Sequence, residues 1–238
     1  MIISKEVLKI VKKKREGEVI TYEDFGKLQN LNSVALALSK LYKKGILKKI
    51  GKGLFYKPKV TRFGELKPSE NEILKALLRK NKQGFISGTA AQNRLGLTTQ
   101  IPNRIVISGK YDKHERKIGN LNIIYKKSNL NYGRKDIELL QILDALKNIN
   151  KIPDTSANDA LELLKNKISK LDEKSLQSIV SLANDSKPRV RVLLGAILDL
   201  INEVQLSEAL FETLNPLTNY KIRISEEVLP NKKKWKIK

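Results

Sequence analysis

Apolar residues recur at helical spacing near the start of the chain. Val7, Leu8, Ile10 and Val11 sit among lysines between Lys5 and Lys14, and Gly17 follows where such a helix stops. Thr21, with Asp24 three residues on, reads as an N-cap and its capping-box partner, opening a short helix over 22–28 that turns Phe25 and Leu28 inward. The spacing predicts a third helix from Ser33 to Lys44, with Val34, Ala37, Leu38 and Leu41 on one face and Gly45 as its stop. The runs 46–50 and 54–57 flank Gly51-Lys52-Gly53, a pattern of strand, glycine turn and strand that Pro58 closes. Gly51 and Gly53 are both expected to use positive φ in that turn.

Past Pro58 the pattern loosens, and residues 60–68 read as an irregular linker. Pro68 and Ser69 open a helix carrying Ile73, Leu74, Leu77 and Leu78. A short strand over 85–87, a small helix over 89–95 ended by Gly96, and β-branched runs at 104–108 and 121–125 follow. The polar stretch Lys110 to Gly119 reads as a hairpin loop. From Lys135 the period is helical throughout, over 137–149, 157–171, 174–184 and 190–204, with a fifth short piece at 206–210. Residues 223–228 read as a strand and the lysine-rich end as mobile. The expected fold is α+β, with a winged helix-turn-helix over 1–60, a small α/β domain over 61–134 and a helical domain with a basic tail over 135–238.

Charge sharpens this division. The 238 residues hold 47 Lys plus Arg against 25 Asp plus Glu, a formal net charge of +22. Residues 1–60 carry 15 basic and 5 acidic side chains and residues 61–134 again 15 and 5, whereas 135–238 carry 17 and 15. Such an excess calls for a polyanionic partner and assigns its binding to the first two segments. The tail Lys232 to Lys238 reads as a solvated end, with clamping of nucleic acid by stacking on Trp235 as the alternative.

The chain has no cysteine, one histidine and one methionine, which removes disulfides, thiolate chemistry, zinc fingers and histidine triads. No metal site, cofactor or catalytic constellation is expected, and His114, among Lys113, Glu115 and Arg116, reads as a solvent-exposed side chain rather than a base. No apolar run is long enough to span a membrane, and the charged start lacks the apolar stretch of a signal peptide, so a cytoplasmic protein is expected.

Three helices followed by a two-stranded hairpin, all strongly basic, is the element order of a winged helix-turn-helix, whose third helix enters the DNA major groove while the hairpin lies along the backbone. At 100° per residue, Asn32, Leu36, Ser39, Lys40 and Lys43 cluster opposite the apolar face of that third helix. Asn32 and Ser33 are placed to read base edges, Leu36 to meet a thymine methyl, and Lys40 and Lys43 to reach phosphate or guanine, with Lys44 beside them as a further DNA-binding candidate. Lys48, Lys49 and Lys52 would hold phosphates from the wing, with Phe55 and Tyr56 packing beneath it.

Several motifs add a family resemblance. Tyr22 to Phe25, Ala35 to Leu41 with Gly45 to Leu47, and Gly53 to Pro58 resemble the winged-helix head of AbiE-type antitoxins. Phe63-Gly64, Pro68-Ser69, Ser87-Gly88, Ala90-Ala91 and above all the run Asn93 to Asn103, with Leu95-Gly96-Leu97-Thr98-Thr99-Gln100-Ile101-Pro102 at its centre, resemble the second domain of the same proteins. The resemblance covers residues 5–125. It implies an antitoxin whose head represses its own operon on duplex DNA, and which opposes a nucleotidyltransferase-like toxin either directly or through the toxin's RNA substrate. The alternative is a stand-alone winged-helix regulator whose helical segment serves dimerisation or an effector.

Overall fold

The computed structural model describes residues 2–28, 30–80, 84–110, 112–128 and 133–238. The chain is a mixed α+β protein. It divides into two compact units, Met1–Gly84 with Glu115–Ile123, and Phe85–His114 with Ile124–Lys238, so residues 61–134 contribute to both.

In the first unit, helix α1 (Ile2–Lys13) leads into strand β1 (Val19–Ile20), a 3-10 turn (Tyr22–Phe25) and helix α2 (Leu31–Lys43). The 3-10 turn starts as its capping pair dictates, the Thr21 N–H donating to Asp24 Oδ2 at 2.8 Å. It ends after one turn, at Phe25 rather than Leu28. Asn30 caps α2, its Oδ1 accepting the Ser33 N–H at 2.9 Å. Gly45, with φ +73°, lets the chain leave that helix as the Ile46 N–H returns to Leu41 O.

Strands β2 (Lys48–Gly51) and β3 (Leu54–Tyr56) then form an antiparallel hairpin, and β1 adds to its far side to give the order β1-β3-β2. Two-residue β1 is too short to leave a periodic signal in the sequence. The hairpin pairs Lys49 with Phe55 and Gly51 with Leu54, so the register slips at Ile50. Gly53 alone takes positive φ in the turn, and Gly51 is an ordinary strand residue, contrary to the expectation for both.

The segment read as an irregular linker is a second hairpin, β4 (Lys59–Thr61) with β5 (Gly64–Leu66). Its strands are exposed on both faces and so carry no hydrophobic alternation. Helix α3 (Glu70–Lys80) completes the run.

The next strands are β6 (Gly84–Ser87), β7 (Arg104–Gly109), β8 (His114–Ile118) and β9 (Leu121–Lys127), ordered β6-β7-β9-β8, with the short helix α4 (Thr89–Arg94) between β6 and β7. Strand β8 replaces half of the predicted polar loop. It lies at a sheet edge, where charged residues such as Glu115 and Arg116 are tolerated and block further pairing. His114 is exposed, its ring stacked 4.4 Å from that of Tyr125.

The second unit is dominated by α5 (Ile137–Lys147), α6 (Ala157–Ile168), α7 (Glu173–Asn184), α8 (Pro188–Leu200) and α9 (Val204–Phe211). Their apolar faces close one core, with Leu140, Leu164, Ile179, Leu194 and Ile197 buried in it. The predicted strand over 223–228 is not formed. Tyr220 pairs instead with the terminus, its N–H donating to Lys236 O at 2.9 Å, while the Ile222 N–H donates to Lys238 O at 3.0 Å.

The tail is therefore neither mobile nor a solvated end, and Trp235 is not available for stacking. It is 1% exposed within the helical core, edge-on to Phe211 at 5.2 Å. A Cβ at Gly195 would overlap the indole ring, so that glycine is the seat for Trp235. Asp199 holds the tail from below: its carboxylate accepts the Trp235 Nε1–H at 3.2 Å, the Asn231 side chain at 2.8 Å and Lys234 Nζ at 2.9 Å. Burial pushes the Asp199 carboxyl up, but these three donors outweigh it and hold it below its ordinary value.

A second charged node braces the first unit. Asp24 Oδ1 takes Lys14 Nζ at 2.7 Å and Arg79 Nη1 at 3.2 Å, and Arg79 Nη2 donates to Val19 O at 2.8 Å. Glu18 joins through Lys14 at 2.8 Å. Burial pushes the Glu18 carboxyl up, yet hydrogen bonds from Lys14 and the Arg15 N–H, with the Lys14 and Arg79 charges, set it below its ordinary value of 4.5.

Two outcomes are expected. Trp235→Ala should cost about 3–5 kcal/mol of second-unit stability in urea denaturation followed by far-UV circular dichroism; an unchanged midpoint would contradict a buried anchor. Because Glu18 is depressed in the folded state, its contribution is complete above pH 4.5 and disappears as pH falls through the lower folded value. Glu18→Gln should therefore flatten the acid limb of the chain's stability profile, and equal acid sensitivity of variant and parent would remove Glu18 from that role.

Candidate nucleic-acid interface

Helix α2 has one face that packing claims and one that it leaves free. Val34, Ala37, Leu38 and Leu41 are buried in a core with Val7, Val11, Ile20, Phe25, Leu47 and Phe55. At 100° per residue, Asn32, Leu36, Ser39, Lys40 and Lys43 fall within an arc of about 100° on the opposite side. Asn32, Lys40 and Lys43 are exposed, Ser39 is half-buried, and Leu36 is 65% exposed. Ser33 is half-buried in the first turn, where its N–H is spent on the Asn30 cap. Lys44 lies just past the helix as its C-cap, exposed beside that face.

The β2–β3 hairpin follows α2 directly and carries the other three candidates. Lys49 and Lys52 are exposed. Lys48 is half-buried and pairs with Glu65 of β5 at 3.4 Å, which binds the second hairpin to the first and partly neutralises that lysine. Leu54, Phe55 and Tyr56 are buried beneath. Burial, reinforced by Glu65 and opposed by Lys48, pushes the Tyr56 hydroxyl up and keeps it neutral.

The turn is held by a residue that the sequence pattern placed in a polar loop. Arg116 of β8 donates from Nη2 to Lys52 O at 3.0 Å, fixing the tip between Gly51 and Gly53. Only folding brings residue 116 to residue 52, so spacing carries no sign of it. The second hairpin adds Arg62 stacked 4.7 Å over the ring of Phe63, which is 84% exposed at the turn.

Among the described residues, Lys40, Lys43, Lys44, Lys49 and Lys52 have no carboxylate within ion-pair distance, whereas Lys14, Lys48 and Arg79 do. The result is a helix face and an adjoining hairpin whose free charge is uniformly positive. An exposed surface of that kind attracts phosphate and leaves Asn32 and Ser39 as its neutral hydrogen-bonding groups. Also among the described residues, no group of three His, Cys, Asp or Glu side chains is placed to hold a metal ion, and no helix is long and apolar enough to cross a membrane.

A family model described as "Family of unknown function (DUF6088)" matches residues 6–179. No curated protein matches the chain. Among solved structures, the crystal structure of the RV2827C protein from Mycobacterium tuberculosis is similar with a TM-score of 0.36 at 15% sequence identity, over 91% of this chain and 83% of that one.

Proposed function

We propose that this chain, which belongs to the DUF6088 family of unknown function, is a non-enzymatic, cytoplasmic DNA-binding antitoxin that represses its own operon and opposes a cognate nucleotidyltransferase-like toxin. Its first unit is read as a winged helix, with α2 as recognition helix and the β2–β3 hairpin as wing. Support for that reading is the order α1, 3-10 turn, α2, hairpin, with β1 as the third strand. The observation that carries it is the unpaired basic face of α2 beside a hairpin tip bearing Lys49 and Lys52.

In this reading α2 lies in the major groove. Lys40 and Lys43 contact phosphates or guanine, Asn32 contacts a base edge, and Leu36 meets a thymine methyl. The wing lysines follow the backbone. Gly53, at φ +72°, keeps the tip narrow, and Arg116 holds it in place. The antitoxin half of the proposal rests on the resemblance of residues 5–125 to AbiE-type antitoxins, and the basic middle segment leaves the toxin's RNA substrate as a route to neutralisation.

Two experiments test this. In gel-shift titrations across salt on DNA from the chain's own promoter, Lys40→Ala with Lys43→Ala should weaken binding and lower the salt slope by about one unit for each phosphate no longer neutralised. An unchanged slope moves phosphate binding off α2. In a growth assay, expression of the adjacent gene alone should arrest cells, co-expression of this chain should restore growth, and the double variant should still rescue while losing repression. A harmless neighbour, or no rescue, leaves a stand-alone regulator.

A further inference from the structure

The second unit contains a cavity of about 290 Å³ that the DNA-binding reading does not use. Its floor is apolar. Phe85 of β6, Val190 in the first turn of α8, and Leu140 and Leu143 on one face of α5 line it.

Its rim is cationic. Lys126 and Lys127 end β9, Lys147 lies one turn beyond Leu143 on the same face of α5, and Lys187 precedes α8. All four are exposed, and among the described residues none has a carboxylate within ion-pair distance. Two aspartates also line the cavity. Asp144 is already engaged, Oδ2 accepting the Gly88 N–H at 2.8 Å and Oδ1 the Asn148 side chain at 3.2 Å, and Asp185 closes α7 as its C-cap. Four cations against two anions leave the concavity positive, and a low-dielectric floor focuses that field.

The wall adds a buried donor. Ser108 of β7 is 6% exposed, and its Oγ lies 2.7 Å from Oγ of the equally buried Ser87. One hydroxyl proton makes that bond, and the other finds no acceptor among the described residues. Either hydroxyl can donate in that pair, and in the arrangement with Ser87 donating the free proton belongs to Ser108, which lines the cavity and can offer it to an acceptor there.

We propose that this cavity binds a nucleoside phosphate. The four lysines take the phosphate as point charges, Ser108 donates to one of its oxygens, and the apolar floor receives the flat face of a base. A sugar phosphate would leave that floor unfilled, and inorganic phosphate would use only the rim. The volume stands at the lower end of small-molecule sites, which run from roughly 300 to 1,000 Å³, and so suits a single nucleotide. The site lies wholly in the second unit, so its failure leaves the DNA-binding reading untouched.

Isothermal titration calorimetry of the full chain at about 0.15 M salt, with ribonucleoside mono- and triphosphates and inorganic phosphate, tests it. At least one nucleotide should bind with Kd between roughly 1 μM and 1 mM, about tenfold or more tighter than inorganic phosphate. Lys147→Gln with Lys187→Gln, both at exposed positions, should weaken that binding about tenfold, whereas Lys40→Ala with Lys43→Ala should leave it unchanged. Absence of nucleotide binding, equal affinity for inorganic phosphate, or equal weakening by the two double variants would overturn the assignment. A 5′-phosphorylated ribo-oligonucleotide separates the sources of the same chemistry: competition with the bound mononucleotide places a strand end in the cavity, and its absence reserves the cavity for free nucleotides.

Discussion

Burying one face of α2 fixes what the first unit presents outward. Val34, Ala37, Leu38 and Leu41 pack against α1, the 3-10 turn and the hairpin base, and fully burying each larger side chain contributes roughly 1.5–3 kcal/mol. Rotating the helix by one residue would turn that set away from the core and bring polar positions toward it. The outward face is thus held as firmly as the inward one. Asn32, Leu36, Lys40 and Lys43 stand free of the core because the apolar set has a single place to go.

Charge in the first unit separates into two populations. Lys14 and Arg79 are committed to Asp24, where they tie α1 and α3 to the turn between them. Removing one partner from such a half-buried cluster strands the others, which is why clusters of this kind act as braces. Lys40, Lys43, Lys49 and Lys52 are instead left to solvent. Their free energy is best lowered by an external polyanion, and their placement on one helix face and one hairpin tip gives that attraction a shape.

The second unit solves a different problem, the closure of a largely helical core by residues 231–238 of a basic chain. Five lysines surround Trp235 in that stretch. Burial of the indole requires a small residue opposite, supplied by Gly195, and an acceptor for its N–H, supplied by Asp199. With both present, the lysines rest around the anchor, Lys234 paired with Asp199 and Lys232 donating to Ile224 O. The same unit leaves Lys126, Lys127, Lys147 and Lys187 around a cavity with no ion-pair partner among the described residues, a local positive excess that the near balance of charge over residues 135–238 does not reveal.

The sequence by itself determined the long elements and the basic face of α2. Helical period, the Thr21–Asp24 pair and the glycines at 45 and 53 are local signals, readable because an amphipathic helix and a glycine turn each mark themselves, whereas the start of α2 at Leu31, ahead of the expected Ser33, is set by an Asn30 cap that the pattern did not single out. It did not determine β1, β4, β5 or β8, since β1 is two buried residues, β4, β5 and β8 are three- to five-residue strands that are largely exposed, and strands of either kind carry no alternation and acquire identity only from the strand beside them. Nor did it determine the hydrogen bond by which Arg116 fixes the hairpin tip, the Asp24 node or the burial of Trp235. Those depend on residues 64, 55 and 40 positions apart in the chain respectively, and their energies exist only once packing has removed water from between them.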